Sequence, residues 1–199
     1  MMSAEIELKF RVDSLPELER RLPQLGFRME TPRTFEQNTL YDTPDRSLKA
    51  RGEILRVRQY GGRWVVTHKR HPEEEDTASI YKVRIETETA VEDGAAMAEV
   101  FVRLGYGPVF EYEKYRTEYA DGDGHLVLDE TPIGVFAELE GPTQWIDRQL
   151  EALAVDPGVC LTESYGKLFL EWKARTGSSA ENLVFAEIES SQLSAVSSR

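Results

Sequence analysis

Cysteine, histidine and basic charge are all scarce in this 199-residue chain, and each scarcity narrows what it can be. The single cysteine, Cys160, cannot close an internal disulfide, and His68, His71 and His125 lack the spacing of a zinc site. Lysine and arginine number 24 against 36 acidic residues, a net charge of -12, which argues against bulk-charge binding of nucleic acid or an anionic membrane. No apolar run approaches the roughly 18 residues of a membrane span, and no signal-peptide pattern opens the chain. Walker-type glycine loops and G-x-S-x-G elbows are missing too, which sets aside the commonest nucleotide and acyl-transfer folds. These absences predict a reduced, cytoplasmic protein, monomer or homodimer, with no nucleic-acid or membrane partner.

What is present is enough apolar content, 40%, for one core. The expected division is a folded domain over 1–175 and a serine-rich stretch over 176–199, read as a mobile tail or a short appended helix. The first strong pattern is Glu5-Ile6-Glu7-Leu8-Lys9-Phe10-Arg11-Val12, where charged and apolar residues alternate at strand period. Similar alternation predicts strands over 35–41, 54–59, 63–69, 80–89, 109–120, 125–129 and 135–140. Residues 71–79 read as a loop, and helical spacing predicts helices over 15–25, 92–104, 143–154 and 162–174, with Thr143 and Thr162 as caps of the last two.

Charges two residues apart share a face of their strand: Glu5/Glu7/Lys9, Arg56/Arg58, Thr67/Lys69, Arg84/Glu86/Glu88, Lys114/Arg116 and Glu138/Glu140. One reading is a solvated sheet surface whose cross-strand ion pairs contribute about a few tenths of a kcal/mol each. The other follows from the opposite faces. Ile6/Leu8/Phe10, Leu55/Val57, Val83/Ile85 and Ala137/Leu139 would bury the helices' apolar stripes, which puts the helices outside and the charges within. The expected fold is therefore α+β: a closed eight-stranded antiparallel β-barrel with helices packed outside. Carboxylates are hard ligands for Mg²⁺ or Mn²⁺, and arginine forks suit phosphate oxygens, so a metal-bound polyphosphate would satisfy both sets.

The series beginning Glu5-Ile6-Glu7-Leu8-Lys9 resembles the E-x-E-x-K strand of the CYTH group of triphosphate tunnel metalloenzymes, named for class IV adenylate cyclases and thiamine triphosphatases. Tyr41-Asp42-Thr43, Leu55-Arg56-Val57-Arg58, Thr67-His68-Lys69, Arg84 to Glu88, Lys114-Tyr115-Arg116, Leu128-Asp129, Gly134 to Glu140 and Ser164-Tyr165 follow in family order, covering about residues 4–174. The resemblance implies catalytic roles for Glu5, Glu7, Lys9, Lys69, Glu86, Glu138 and Glu140. It implies phosphate binding by Lys9, Arg56, Arg58, Lys69, Arg84, Lys114 and Arg116, with Lys167 a weaker candidate, and metal binding by Glu5, Glu7, Glu88, Asp129, Glu138 and Glu140. The expected activity is metal-dependent hydrolysis of inorganic, thiamine or nucleoside triphosphate. The alternatives are cyclisation of ATP to cyclic AMP and pyrophosphate, or polyphosphate binding without turnover. Class IV cyclases often carry a His-Phe pair ahead of E-x-E-x-K; here Met1-Met2-Ser3-Ala4 stands there, which favours hydrolysis. Trp64, Trp145 and Phe35 could border an organic moiety but read more readily as packing residues.

Overall fold

A computed structural model describes residues 2–73 and 80–197, with side chains described for all of these except 2–4 and 193–197. Residues 74–79 of the expected loop lie outside the described residues. Eight strands form: β1 (Met2–Arg11), β2 (Arg28–Asp42), β3 (Ile54–Tyr60), β4 (Arg63–Arg70), β5 (Lys82–Val91), β6 (Gly107–Ala120), β7 (His125–Thr131) and β8 (Gly134–Glu140). They close into a barrel in the order β1-β5-β4-β3-β2-β6-β7-β8. All neighbours are antiparallel, as expected.

The largest strand departure is β2, which begins at Arg28 rather than Phe35. Its first half pairs with the end of β6 through register shifts between Met29 and Thr31 and between Thr31 and Thr34. Pro32 lies inside the second irregularity; a proline has no amide to donate, so the bulge hides the strand's periodicity from sequence. A proline also shortens the first helix. The expected span 15–25 divides into α1 (Leu15–Arg21) and a 3₁₀ turn, Leu22–Leu25, where Pro23 removes an α-helical donor. Gly26, at φ 89°, closes that turn.

The short α2 (Ser47–Ala50) was not anticipated; the Asp42 carboxylate anchors it by accepting the Leu48 and Lys49 amides at 2.9 and 3.0 Å. Then come α3 (Gly94–Arg103), α4 (Thr143–Leu153), α5 (Tyr165–Thr176) and α6 (Phe185–Ser197). The two expected caps move. Thr143 is the first residue of α4, behind Pro142, and α5 is capped by Ser164, whose hydroxyl accepts the Lys167 amide at 3.3 Å.

Outward strand residues Leu8, Phe10, Leu126, Leu128, Ala137 and Leu139 pack under α1 and α4 with Trp145, Ile146 and Leu150. Each leucine, isoleucine or phenylalanine buried this way contributes about 1.5–3 kcal/mol. Leu55, Val57, Tyr41 and Val66 pack under α3 through Phe101 and Met97. Gly94 lets α3 start flat against Trp64, since a Cβ there would lie 2.1 Å from the indole. Val83 and Ile85, expected beneath a helix, are only half-buried.

A third cluster sits differently. Tyr112 and Phe136 pair in the ladders with Asn38 and Asp129, so they belong to the inward rows, yet they pack against Tyr165, Leu168 and Phe169 of α5. This helix therefore lies across an end of the barrel rather than along its flank. Two strand edges near it are left by their neighbours: β5 pairs with β1 only as far as Glu7, and β7 with β6 only from Tyr115. Leu161 bonds both backbone groups of Lys9 on the first edge, at 2.7 and 3.3 Å. On the second, Leu183 donates to the Glu111 carbonyl at 3.0 Å and accepts from the Glu113 amide at 2.9 Å. Leu183 and Ile188, within the stretch expected as tail or appended helix, are buried in the α5 cluster.

Candidate functional site

Ladder register fixes which side chains meet. Glu5 stands opposite Arg84, Glu7 opposite both Lys82 and Glu140, Lys9 opposite Glu138, and Lys69 opposite Glu86. Across the barrel, Asn38 faces Arg58, Glu36 faces Lys114, and Arg116 faces Asp129. Cross-strand partners project to one side of the sheet, so the period-2 charge pattern becomes a charged lining. The tunnel has a volume of about 440 Å³. Of the residues expected to act, Glu5, Glu7, Lys9, Arg56, Arg58, Lys69, Glu86, Glu88, Lys114, Arg116, Glu138 and Glu140 line it.

Two do not line it. Asp129 is fully buried behind the wall, where it accepts from Lys114 at 2.7 Å, from two Arg116 nitrogens at 2.8 and 2.7 Å and from the Tyr165 hydroxyl at 2.7 Å. Its oxygens are committed to aiming those groups. Arg84 borders a second cavity and bonds His71 Nδ1 at 3.0 Å. Lys82, Tyr112, Glu118 and Tyr165 also line the tunnel, beyond the residues expected there. Lys82 sits two residues before Arg84 in the same alternation, so a sequence signal exists for it; Tyr165 reaches in from a helix, which no strand pattern reveals.

The ion pairs divide the lining. Lys9 bonds Glu138 at 2.8 Å, Arg116 bonds Glu138 at 2.8 Å, Lys69 bonds Glu5 at 2.7 Å, and Lys82 pairs with Glu7. Arg56 bonds Thr67 at 3.1 Å and Glu88 at 3.3 Å. Arg58 is different. It has no hydrogen bond to a described residue, and its nearest anions, Glu88 and Glu36, are 3.7 and 4.0 Å away. A guanidinium so placed keeps its donor fork for a ligand.

The acidic side has its counterpart. Glu5, Glu7 and Glu140 each bring a carboxylate oxygen to within 4.8 Å of the others. The Glu140 carboxylate takes no hydrogen bond or ion pair from any described residue. Burial pushes its pKa up to about 8; Arg116 pulls it down, while Glu138, Glu5 and Glu7 add to the rise. Three hard oxygens, one of them uncompensated, fit a small divalent cation. Burial likewise lifts Glu86 to about 7, against the pull of Lys69. For Glu7, burial pushes up but Lys82, Lys9 and Lys69 prevail, holding its carboxyl below the usual range.

Beside the tunnel lies a vestibule of about 750 Å³. Leu40, Ile54, Lys82, Ser164 and Gly166 border both spaces, so the two are adjacent. Phe110, Phe169 and Leu170 supply its apolar walls, and Lys49, Lys167 and Lys173 stand among the charges around it. The aromatics considered from sequence lie elsewhere. Trp145 is in the flank core, Trp64 packs under α3, and Phe35 lies tilted against Tyr115.

Comparison with known proteins agrees with this geometry. The CYTH domain model matches residues 3–156. The Methanocaldococcus jannaschii protein MJ0240, provisionally named an adenylate cyclase, is 30% identical over 137 residues, 68% of this chain and 75% of its own. A provisionally named adenylate cyclase from Vibrio parahaemolyticus superposes with a TM-score of 0.72 at 20% identity, covering 83% of this chain and 97% of that one. Hippeastrum HpAC1, described as an adenylyl cyclase candidate with a dominant triphosphatase activity, superposes at 0.61 with 20% identity, covering 84% and 96%. Among the described residues no helix is long and apolar enough to cross a membrane.

Proposed function

We propose that this chain, which belongs to the CYTH domain family, is a divalent-metal-dependent triphosphatase. The observation that carries the reading is the meeting, in one tunnel, of a three-carboxylate group (Glu5, Glu7, Glu140), whose Glu140 has no cationic partner among the described residues, with a guanidinium that makes no hydrogen bond to a described residue (Arg58). Glu5, Glu7 and Glu140 would hold Mg²⁺ or Mn²⁺, which supplies charge neutralisation and polarisation of phosphate oxygens. Arg58, Arg56, Lys114, Arg116, Lys9 and Lys69 would grip the phosphate oxygens. Asp129 and Glu138 keep Lys114, Arg116 and Lys9 aimed before substrate arrives. Such preorganised charge supplies most of the catalysis in phosphoryl transfer, which needs no protein nucleophile.

The reaction is attack of water oxygen on a terminal phosphorus, with cleavage of the bond to the bridging oxygen, so that triphosphate and water give pyrophosphate and orthophosphate. Glu86, which lines the tunnel and whose carboxyl burial lifts to about 7, would take the proton from the water. The cations stabilise charge on the departing oxygen. Triphosphate hydrolysis is the dominant activity described for HpAC1, and the provisional names of MJ0240 and the Vibrio protein point to the second reading, cyclisation of ATP. One feature favours that alternative: the vestibule offers space for an organic head group beside the phosphate site.

The deciding experiment measures phosphate release from tripolyphosphate, thiamine triphosphate and ATP with Mg²⁺ or Mn²⁺, together with chromatography for cyclic AMP. Metal-dependent phosphate release supports hydrolysis; cyclic AMP and pyrophosphate from ATP, without orthophosphate, establish cyclisation instead. Tight binding with no turnover under any of these conditions removes both.

A further inference from the structure

Glu36 of β2 is fully buried, opposite Lys114 and Tyr60 in the ladders. Lys114 Nζ stands 3.5 Å from its carboxylate, Arg116 Nε 3.8 Å and Arg58 Nη1 4.0 Å. Those separations are ion pairs without hydrogen bonds. Its Oε1 accepts from Asn38 Nδ2 at 2.9 Å, and its Oε2 accepts from no described residue. Burial pushes the carboxyl up, but Lys114, Arg116, Arg56 and Arg58 win, holding it down at about 2, so it is charged at neutral pH. It belongs neither to the three-carboxylate group nor to the tunnel lining. Asp129 and Glu138 take cation donors; Glu36 takes none. What it supplies is one fixed negative charge behind the cationic wall.

We propose that Glu36 is a buried counter-charge that limits how tightly the tunnel holds phosphate, so that the cleaved product leaves. The inference rests on the triphosphatase reading. A phosphate bonded to the far side of Arg58, Lys114 and Arg116 would stand one further hydrogen-bond length beyond cations that are 3.5–4.0 Å from Glu36. At about 7 Å and an effective dielectric near 20, the repulsion weakens binding by roughly tens of fold per unit charge. The opposing effect is small. Glu36 gives those cations no hydrogen bond, and Asp129 and Glu138 still hold Lys114 and Arg116 when its charge is gone.

The test is calorimetric binding of tripolyphosphate and pyrophosphate to the wild type, Glu36→Gln and Glu36→Asp, with steady-state kinetics and a melting curve for each. Glu36→Gln keeps an acceptor for Asn38 and is expected to bind both anions about tenfold or more tightly, with KM and kcat falling together as product release slows. Glu36→Asp keeps the charge and is expected to stay within about threefold of wild type. A folded Glu36→Gln that binds equally or more weakly overturns the inference. If Glu36→Gln loses its cooperative melt, Glu36→Asp carries the test, and tenfold tightening in that charge-retaining variant overturns it. A wild type that binds tripolyphosphate while Glu36→Gln is unchanged removes this inference alone; a wild type that binds none removes the triphosphatase reading beneath it as well.

Discussion

Replacing Glu140 by glutamine should make the metal-free protein more stable while removing its activity. In the fold this carboxyl titrates at about 8, against an ordinary 4.5 in the unfolded chain. The folded state thus holds the proton more tightly, so the contribution of this group is fully present below 4.5 and is lost as pH rises through about 8. At 1.36 kcal/mol per pH unit the loss by pH 8 is at most about 4 kcal/mol; the side chain is partly solvated, and screening brings the expectation to about 2. For a chain of this size that is roughly 4–8 °C in melting temperature. The assay is a set of thermal melts in EDTA near pH 5 and pH 8, repeated with saturating Mg²⁺ or Mn²⁺. Glutamine has the same shape and cannot ionise, so the variant should melt several degrees above wild type at the higher pH and with it at the lower. Metal should stabilise wild type and leave Glu140→Gln nearly unmoved, and metal-dependent turnover should fall at least about 100-fold. If the variant melts no higher than wild type at pH 8, or gains as much from metal, the account of an uncompensated carboxylate awaiting a cation is wrong.

Three further outcomes are expected. Arg58→Ala, which gives up no hydrogen bond within the fold, should leave the melting temperature within a few degrees and raise KM for tripolyphosphate about tenfold or more, as read by initial rates. The rising limb of log kcat/KM against pH should lie near 7, the pKa of Glu86, and should vanish in Glu86→Gln; a limb unchanged in that variant would assign the proton acceptor elsewhere. Leu183→Ala removes a fully buried side chain and should cost about 2–4 kcal/mol in urea unfolding, whereas an unaffected midpoint would mean the segment contributes little.

Legibility from sequence followed the strength of the alternation. In Glu5 to Val12 every second residue is charged, so the face is unambiguous, and a one-residue slip would expose Leu8 and Phe10. Barrel closure followed from helices needing those outer faces. On β2 the inward row reads Glu36, Asn38, Leu40 and the outer row Phe35, Gln37, Thr39; both are mixed, so nothing marked Glu36 as enclosed. Pro32 concealed the first half of the same strand. Tyr165 and the vestibule depend on where α5 docks, which is set by Tyr112 and Phe136 far away in sequence. Thr162 and Ser164 stand two residues apart ahead of α5, both hydroxyl-bearing, and local pattern does not discriminate the threonine from the serine that caps it.

The bridge at Leu183 also bears on how the molecule is handled. The family match stops at residue 156, yet the amide of Glu113 and the carbonyl of Glu111 are satisfied by a residue well beyond it. Trimming the chain to the matched span would strip that stretch of β6 of its companion and leave a sticky flank open to a strand from another molecule. Clumping of such a shortened protein would then report an unzipped side, and retaining residues through Ile188 is the simple remedy.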